Sequence, residues 1–279
     1  MTIFEQALSH IATRADFVDG DYYKDNIIYC GKCNTPKETT IKLGSCPETI
    51  VRIACKCVMD EEEKEKKQEK VRQRRASIEE SMRDLVELGV ARMPRFDFSM
   101  WDGSNPAIKE RMVKYAKNFD QVYDRNIGLI LYGNAGTGKT FFSECIADAL
   151  LKNGRFALLT SVSGLANAMS SNYNESRAKV LHYIKNVDLL VLDDYGTERD
   201  TAFMNEHIFD IIDTRYTANR PMVITTNLSP DAMRANMNIN VKRIAERLFE
   251  SCVAIEVKGD TRRVSRANDK IKAFRELTN

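Results

Sequence analysis

Residues Ile127 to Thr140 read IGLILYGNAGTGKT, an apolar run that breaks off into a loop of glycine and threonine. The run has the composition of a buried strand, and the loop after it carries GxxxxGKT, the spacing of a phosphate-binding loop. Gly133, Gly136 and Gly138 give the backbone access to φ > 0, so the N–H groups of the loop, including those of Asn134, Ala135 and Thr137, can close on an anion. Lys139 reaches the β- and γ-phosphates of a nucleotide, and the Thr140 hydroxyl suits Mg²⁺. Phe141 to Leu151 contains neither proline nor glycine and reads as a helix whose N-terminus faces the same phosphates. A plain glycine-rich turn is the bland alternative, and the strand–loop–helix context weighs against it.

A second apolar run, Val187 to Asp194 (VDLLVLDD), ends in two carboxylates. Behind a phosphate loop, Asp193 is placed to bind Mg²⁺ directly or through water, and Asp194 to orient or deprotonate an attacking water. Glu198 is a second candidate for water activation, because Asp194 is one methylene shorter than the usual glutamate. Pro221 to Thr226 is a further buried strand ending in TTN. Asn227 at its tip can hold water against a γ-phosphate, unless it merely forms a turn with Ser229 and Pro230. Strands over 155–160 and 252–257, alternating with helical stretches, predict an α/β domain with a parallel sheet and right-handed crossovers. Ligands are then expected at the carboxyl ends of the strands.

The 279 residues, 43% of them hydrophobic, suffice for a sizeable core. Forty-two basic residues against 40 acidic leave a net charge of +2, so contact with nucleic acid has to come from local patches. The first 30 residues lack the pattern of a signal peptide, and no apolar stretch reaches the ~18 residues of a membrane span. A cytoplasmic protein without a membrane partner is expected, and there cysteines seldom pair.

Five of the seven cysteines lie between residues 30 and 57. Cys30 and Cys33 form CGKC, and Cys55 and Cys57 form CKC after a 21-residue interval. Four such thiolates can surround Zn²⁺, with Cys46 as a substitute ligand. A small segment with few large apolar residues needs such a staple, although free cysteines in a small core would look alike. Ahead of the module, Phe4, Leu8 and Ile11 mark a short helix over 2–12. Behind it, Asp60 to Asp84 holds nine acidic and eight basic residues and no helix breaker. That segment reads as a charged helix with i,i+4 pairs, whose later residues Ile78, Met82 and Leu85 form a stripe able to dock. The expected organisation is a cysteine-rich domain over 1–59, a helical linker over 60–93 and a nucleotide-binding domain over 94–279.

Near the carboxyl end, Arg243 and Arg247 in KRIAERLFE share one helical face. They can pair with acidic neighbours or reach the nucleotide of an adjacent subunit. GDTRR places Arg262 and Arg263 just after Gly259, and the tail from Asp260 carries six basic against three acidic residues. That tail is a candidate phosphate or DNA contact, or simply a solvated helix end.

Taken together, these motifs resemble the AAA+ ATPases, and within them the helicase-loader family of the DnaC and DnaI type, with the IstB-like ATP-binding proteins as near relatives. GLILYGNAGTGKT is similar to the family's Walker A segment, LLVLDDYG to Walker B and VITTNLS to the sensor 1 strand. The resemblance places the arginine finger at Arg247, with Arg243 as second choice, and makes Arg263 the sensor 2 candidate. The cysteine pairs followed by a charged helix resemble the module of phage-type loaders that contacts the helicase. The resemblance implies a P-loop AAA+ three-layer αβα fold beside a small zinc domain. It also implies a slow, assembly- or DNA-stimulated ATPase that uses Mg²⁺ and self-associates when ATP-bound. Such a protein delivers a replicative ring helicase of the DnaB type to single-stranded DNA, here through a surface around Leu165 to Lys185, with Tyr173 available to stack on a base. The alternatives are an IstB-like ATPase assisting transposition, a small-molecule P-loop kinase, and a nucleotide-regulated DNA-binding protein with little hydrolysis. Asp194 in place of glutamate leaves the identity of the water-activating residue open.

Overall fold

The computed structural model describes residues 14–42, 48–170, 174–197, 201–235, 238–259, 261, 270–272 and 274–278. The helix expected over 2–12, and Cys46, Tyr173, Glu198, Arg262 and Arg263, lie outside them. The chain forms two compact units, 1–74 and 75–279.

In the first unit, β1 (Tyr22–Lys24) and β2 (Ile27–Tyr29) pair antiparallel, as do β3 (Glu38–Ile41) and β4 (Thr49–Arg52). Asp25 and Asn26, at φ 49° and 62°, make the two-residue turn of the first hairpin, a conformation these short polar residues tolerate well. Glu38 is buried, and its carboxylate accepts from the N–H groups of Ala15 (2.9 Å) and Ile28 (3.1 Å). The apolar core is small: Ala15, Ile28, Cys30, Val51 and Cys55 are its buried members among the described residues. Helix α1 (Lys56–Glu87) begins directly after Cys55, and the boundary between the units falls within it. Its early residues are exposed; Ile78, Met82 and Leu85 are buried in the second unit, as the stripe predicts.

The second unit continues with a short 3₁₀ turn (Phe98–Met100), α2 (Pro106–Lys117) and α3 (Phe119–Asp124), then β5 (Gly128–Tyr132) and α4 (Lys139–Lys152). After them come β6 (Ala157–Ser161), α5 (Val162–Ser170), α6 (Asn174–Asn186), β7 (Leu189–Tyr195) and α7 (Ala202–Thr217). β8 (Met222–Thr226), α8 (Pro230–Arg234), α9 (Ile239–Ser251) and β9 (Cys252–Glu256) complete it. The five strands run parallel in the order β6-β7-β8-β5-β9. β5 to β8 alternate their side chains between two cores, as a sheet covered on both faces must, whereas the edge strand β9 is largely exposed. Leu158, Ile130, Leu190, Leu192 and Ile224 pack with the later part of α1 and with α5 to α7 and α9. Leu129, Leu131, Leu159, Leu189, Val191 and Val223 pack with α2, α3 and α4. This is the three-layer αβα sandwich, and it brings the carboxyl ends of β5, β7 and β8 side by side.

Arg215 on α7 is fully buried and binds the corner of the sheet together. Its Nη1 donates to the carbonyls of Ile184 and Val187, both at 2.9 Å, and its Nη2 to those of Pro221 (2.5 Å) and Asp188 (3.4 Å). Carbonyls left between the end of α6 and the starts of β7 and β8 thereby find donors that a loop would otherwise take from water. Replacing Arg215→Met keeps the apolar stem and strands those carbonyls, at an expected cost of about 3 kcal/mol or more. The urea unfolding midpoint should fall with little change in slope.

Candidate functional site

β5 is almost wholly buried, and its chain leaves the sheet through Gly133, Gly136 and Gly138 at φ 141°, 87° and 105°. At Gly133 a Cβ would stand 2.6 Å from the carbonyl oxygen of Val257, and at Gly136 2.3 Å from the Thr261 hydroxyl, so both positions demand glycine. Thr137 is buried, and its hydroxyl donates to the Asn134 carbonyl at 3.0 Å. Lys139, at the first position of α4, curls back over the loop. Its ammonium donates to the carbonyls of Gly133 (2.8 Å) and Asn134 (2.7 Å) and to Asn227 Oδ1 (2.8 Å). Loop, lysine and the tip of β8 therefore meet at one point.

Asp193 stands beside them, 5% exposed at the end of β7. Its Oδ1 accepts from Thr140 (2.9 Å) and Thr225 (2.6 Å), which joins α4, β7 and β8 through one carboxylate. The next residue leaves the strand path. Asp194 adopts φ 59°, its N–H donates to Thr225 Oγ1 (2.9 Å), and the β7–β8 register shifts between Leu192 and Tyr195. Aspartate and asparagine tolerate this left-handed conformation better than other side-chain-bearing residues. The bulge turns the Asp194 side chain outward, onto a cleft of about 540 Å³ that it shares with Lys139, Thr140, Asp193, Thr197 and Asn227. A hydroxyl and a carboxylate in contact, next to a buried lysine and a glycine cradle, match the donor set of a magnesium–phosphate site.

Three further residues brace Asp193 from behind, and no motif spacing announces them. Glu144, one helical turn beyond Thr140, is fully buried. It accepts from Arg92 Nη1, from Arg95 Nη2 (2.9 Å) and from the Arg95 N–H (2.8 Å). Burial alone would raise its carboxyl, but the hydrogen bonds from Arg95 and Arg92 outweigh it and hold the group below the usual range. The other end of the Arg92 fork donates to Asp193 Oδ2. Arg95 and Phe96 line the cleft. Only the unusual pairing of two arginines around Pro94 hints at this in the sequence.

The two arginines of α9 lie elsewhere. Arg247 Nε donates to Asp213 Oδ1 at 2.8 Å, and its guanidinium lies over Phe209 (4.7 Å) and Tyr216 (5.6 Å). Arg243 is exposed, and neither residue lines the phosphate cleft.

In the first unit the four sulfurs of Cys30, Cys33, Cys55 and Cys57 lie within 4.8 Å of one another. Cys57 Sγ is 3.5 Å from Cys30, 3.5 Å from Cys33 and 3.3 Å from Cys55. A tetrahedral zinc thiolate site, with Zn–S near ~2.3 Å, separates its sulfurs by about 3.8 Å, so the donor set fits such an ion with slight expansion. Gly31 makes the knuckle, since a Cβ there would lie 1.9 Å from the Gly20 carbonyl oxygen. Backbone N–H groups of Cys33 and Lys32 push the Cys30 thiol down, and the Thr35 hydroxyl with the Cys57 N–H pushes Cys33 down to about 5. Cys57, hydrogen-bonded to Cys55, Cys30 and Cys33, is pushed up to about 12. Sulfurs this close share protons until a cation replaces them.

Comparison with known proteins finds an ATP-binding family. A family profile described as IstB-like ATP binding protein matches residues 55–270. The replicative helicase loader DnaC of Escherichia coli K12 is 29% identical over 139 residues, 48% of this chain and 54% of that protein. The replicative helicase loader DnaI of Bacillus subtilis is 24% identical over 198 residues, 67% of this chain and 63% of that protein. The chain thus spans between half and two thirds of the length of these curated relatives. A crystal structure titled DNA replication initiation factor shares the fold, with a TM-score of 0.51 and 22% identity over 65% of this chain and 56% of that one.

The cysteine centre is expected to carry about one thiophilic metal ion per chain, measured by plasma mass spectrometry of the purified protein. Cys30→Ser and Cys57→Ser should each lose it; retention by either variant would remove that thiol from the ligand set.

Proposed function

We propose that this chain, which belongs to the IstB-like ATP binding protein family, is an ATP-driven loader that places a replicative ring helicase on single-stranded DNA. The observation that carries the reading is the meeting of Lys139, Thr140, Asp193 and Asn227 at the mouth of the phosphate loop, in a chain whose relatives are named replicative helicase loaders.

ATP enters along the loop, and its phosphates take the hydrogen bonds that Lys139 makes to Gly133, Asn134 and Asn227. Thr140 and Asp193 would hold Mg²⁺, which would supply charge neutralisation at the β- and γ-phosphates. Asn227, released from the lysine, positions the attacking water, and Asp194 or Glu198 accepts its proton. Arg263 adds a cation at the phosphates. Hydrolysis is slow in the isolated chain because the finger comes from a second copy: Arg247 leaves Asp213 and reaches the neighbour's γ-phosphate, with Arg243 as its substitute. ATP-dependent self-association therefore precedes turnover. Zn²⁺ at Cys30, Cys33, Cys55 and Cys57 stiffens the first unit for docking on the helicase. Single-stranded DNA runs along the segment from Leu165 to Lys185, of which Leu165 itself is buried in the core and Asn167, Lys179 and Lys185 are exposed.

Lys139→Ala should abolish nucleotide binding in equilibrium titration. Arg247→Ala should leave binding within about twofold and lower assembly-stimulated hydrolysis by about 10³-fold, the scale of an arginine finger. Equal loss of binding in both would remove the finger assignment. The whole reading is tested by co-purification with the ring helicase of the same cell, in ATP and in ADP, followed by native mass determination. Several copies per helicase hexamer in ATP are expected. Absence of a complex in both nucleotides would favour the transposition role.

A further inference from the structure

We propose that Arg92 is a latch on the magnesium ligand: its guanidinium and a divalent cation compete for Asp193, and Glu144 keeps the arginine when the cation wins. The latch rests on the reading of this cleft as an ATP site.

Asp193 has two oxygens with different duties. Oδ1 is committed to Thr140 and Thr225, at 2.9 Å and 2.6 Å. Oδ2 accepts from Arg92 Nη2. A cation held by Thr140 and Asp193 would sit against that guanidinium, and like charges so close in a half-buried site repel strongly. Because Oδ1 already takes two hydroxyl protons, the cation has to take Oδ2, where the guanidinium sits, and there the two compete.

Arg92 is built to withdraw without leaving an unpaired buried charge. Its Nη1 is already on Glu144, whose carboxylate is fully buried and also takes two hydrogen bonds from Arg95. When Nη2 leaves Asp193, the guanidinium keeps Glu144, and Asp193 gains the metal. The Arg92 backbone need not move, because its N–H donates to the Leu159 carbonyl of β6 at 2.9 Å. The planar fork is what lets one side chain span two carboxylates; an ammonium would hold one of them. Arg92 thus acts as a positioning residue. It orders Asp193 for the metal and sets how much cation is needed to take it.

The test is a Mg²⁺ titration of the binding of a fluorescent ATP analogue to the full chain, with parallel binding in EDTA. A latch closed in about nine chains of ten lowers apparent cation affinity about tenfold, so Arg92→Gln is expected to lower the Mg²⁺ midpoint about tenfold and leave affinity in EDTA within about twofold. Arg92→Lys covers a glutamine variant that does not fold. Its midpoint should fall by a smaller factor, because the ammonium still competes for Asp193 but cannot bridge both carboxylates. An unchanged or raised midpoint, or an equal change in EDTA, overturns the latch. A wild-type chain that binds no nucleotide in either condition overturns the ATP-site reading, and the latch with it.

Discussion

The Asp193 carboxylate is the constraint on which the second unit depends. A carboxylate this deep has to be paired, and its partners come from separate places: Thr140 on α4, Thr225 on β8 and Arg92 on the segment beyond α1. Each donor is held in turn by something structural. Thr140 is fixed by the first turn of the helix that the phosphate loop starts, Thr225 by its place in β8, and Arg92 by Glu144 and by its backbone bond to β6. A charge that needs three donors in one place dictates the relative height of α4, β7 and β8. The packing of Leu190, Leu192 and Ile224 in one core and of Val191 and Val223 in the other then fills the space that arrangement leaves.

Much of this was legible in the residues. The strand ending in a glycine loop, the apolar run closed by Asp193 and Asp194, and TTN at the end of the next strand each carry their geometry in local sequence, because strand, turn and helix start are short-range events. The same holds for the four thiols that the structure gathers at Cys30, Cys33, Cys55 and Cys57, and for the stripe of Ile78, Met82 and Leu85. What escaped is long-range or conformational. Arg92 lies 52 residues from Glu144 and 101 from Asp193, and nothing in an arginine says which carboxylate it will meet. Arg215 reads as one more basic residue on a helix, yet four carbonyls claim its guanidinium. Arg247 suits a partner subunit by its motif, and within the chain it rests on Asp213, Phe209 and Tyr216. That pairing orders the side chain without deciding what it meets on another copy.

The first unit shows the opposite balance. Its described core holds few large apolar side chains, too little burial to hold two short hairpins together unaided. The gathered sulfurs, the Glu38 carboxylate accepting two backbone N–H groups and the ion pair of Lys37 with Asp21 at 2.6 Å take over that role. Directional contacts replace area, as small domains require.

The left-handed turn at Asp194 reaches beyond geometry into what mutation can offer at that position. Its backbone welcomes glycine, asparagine and aspartate and resists longer or branched residues. Asparagine is nearly identical to aspartate in shape and shares its tolerance of this conformation. A change of Asp194 to asparagine therefore removes the charge and keeps the bulge, whereas glutamate has to adopt a backbone conformation it resists.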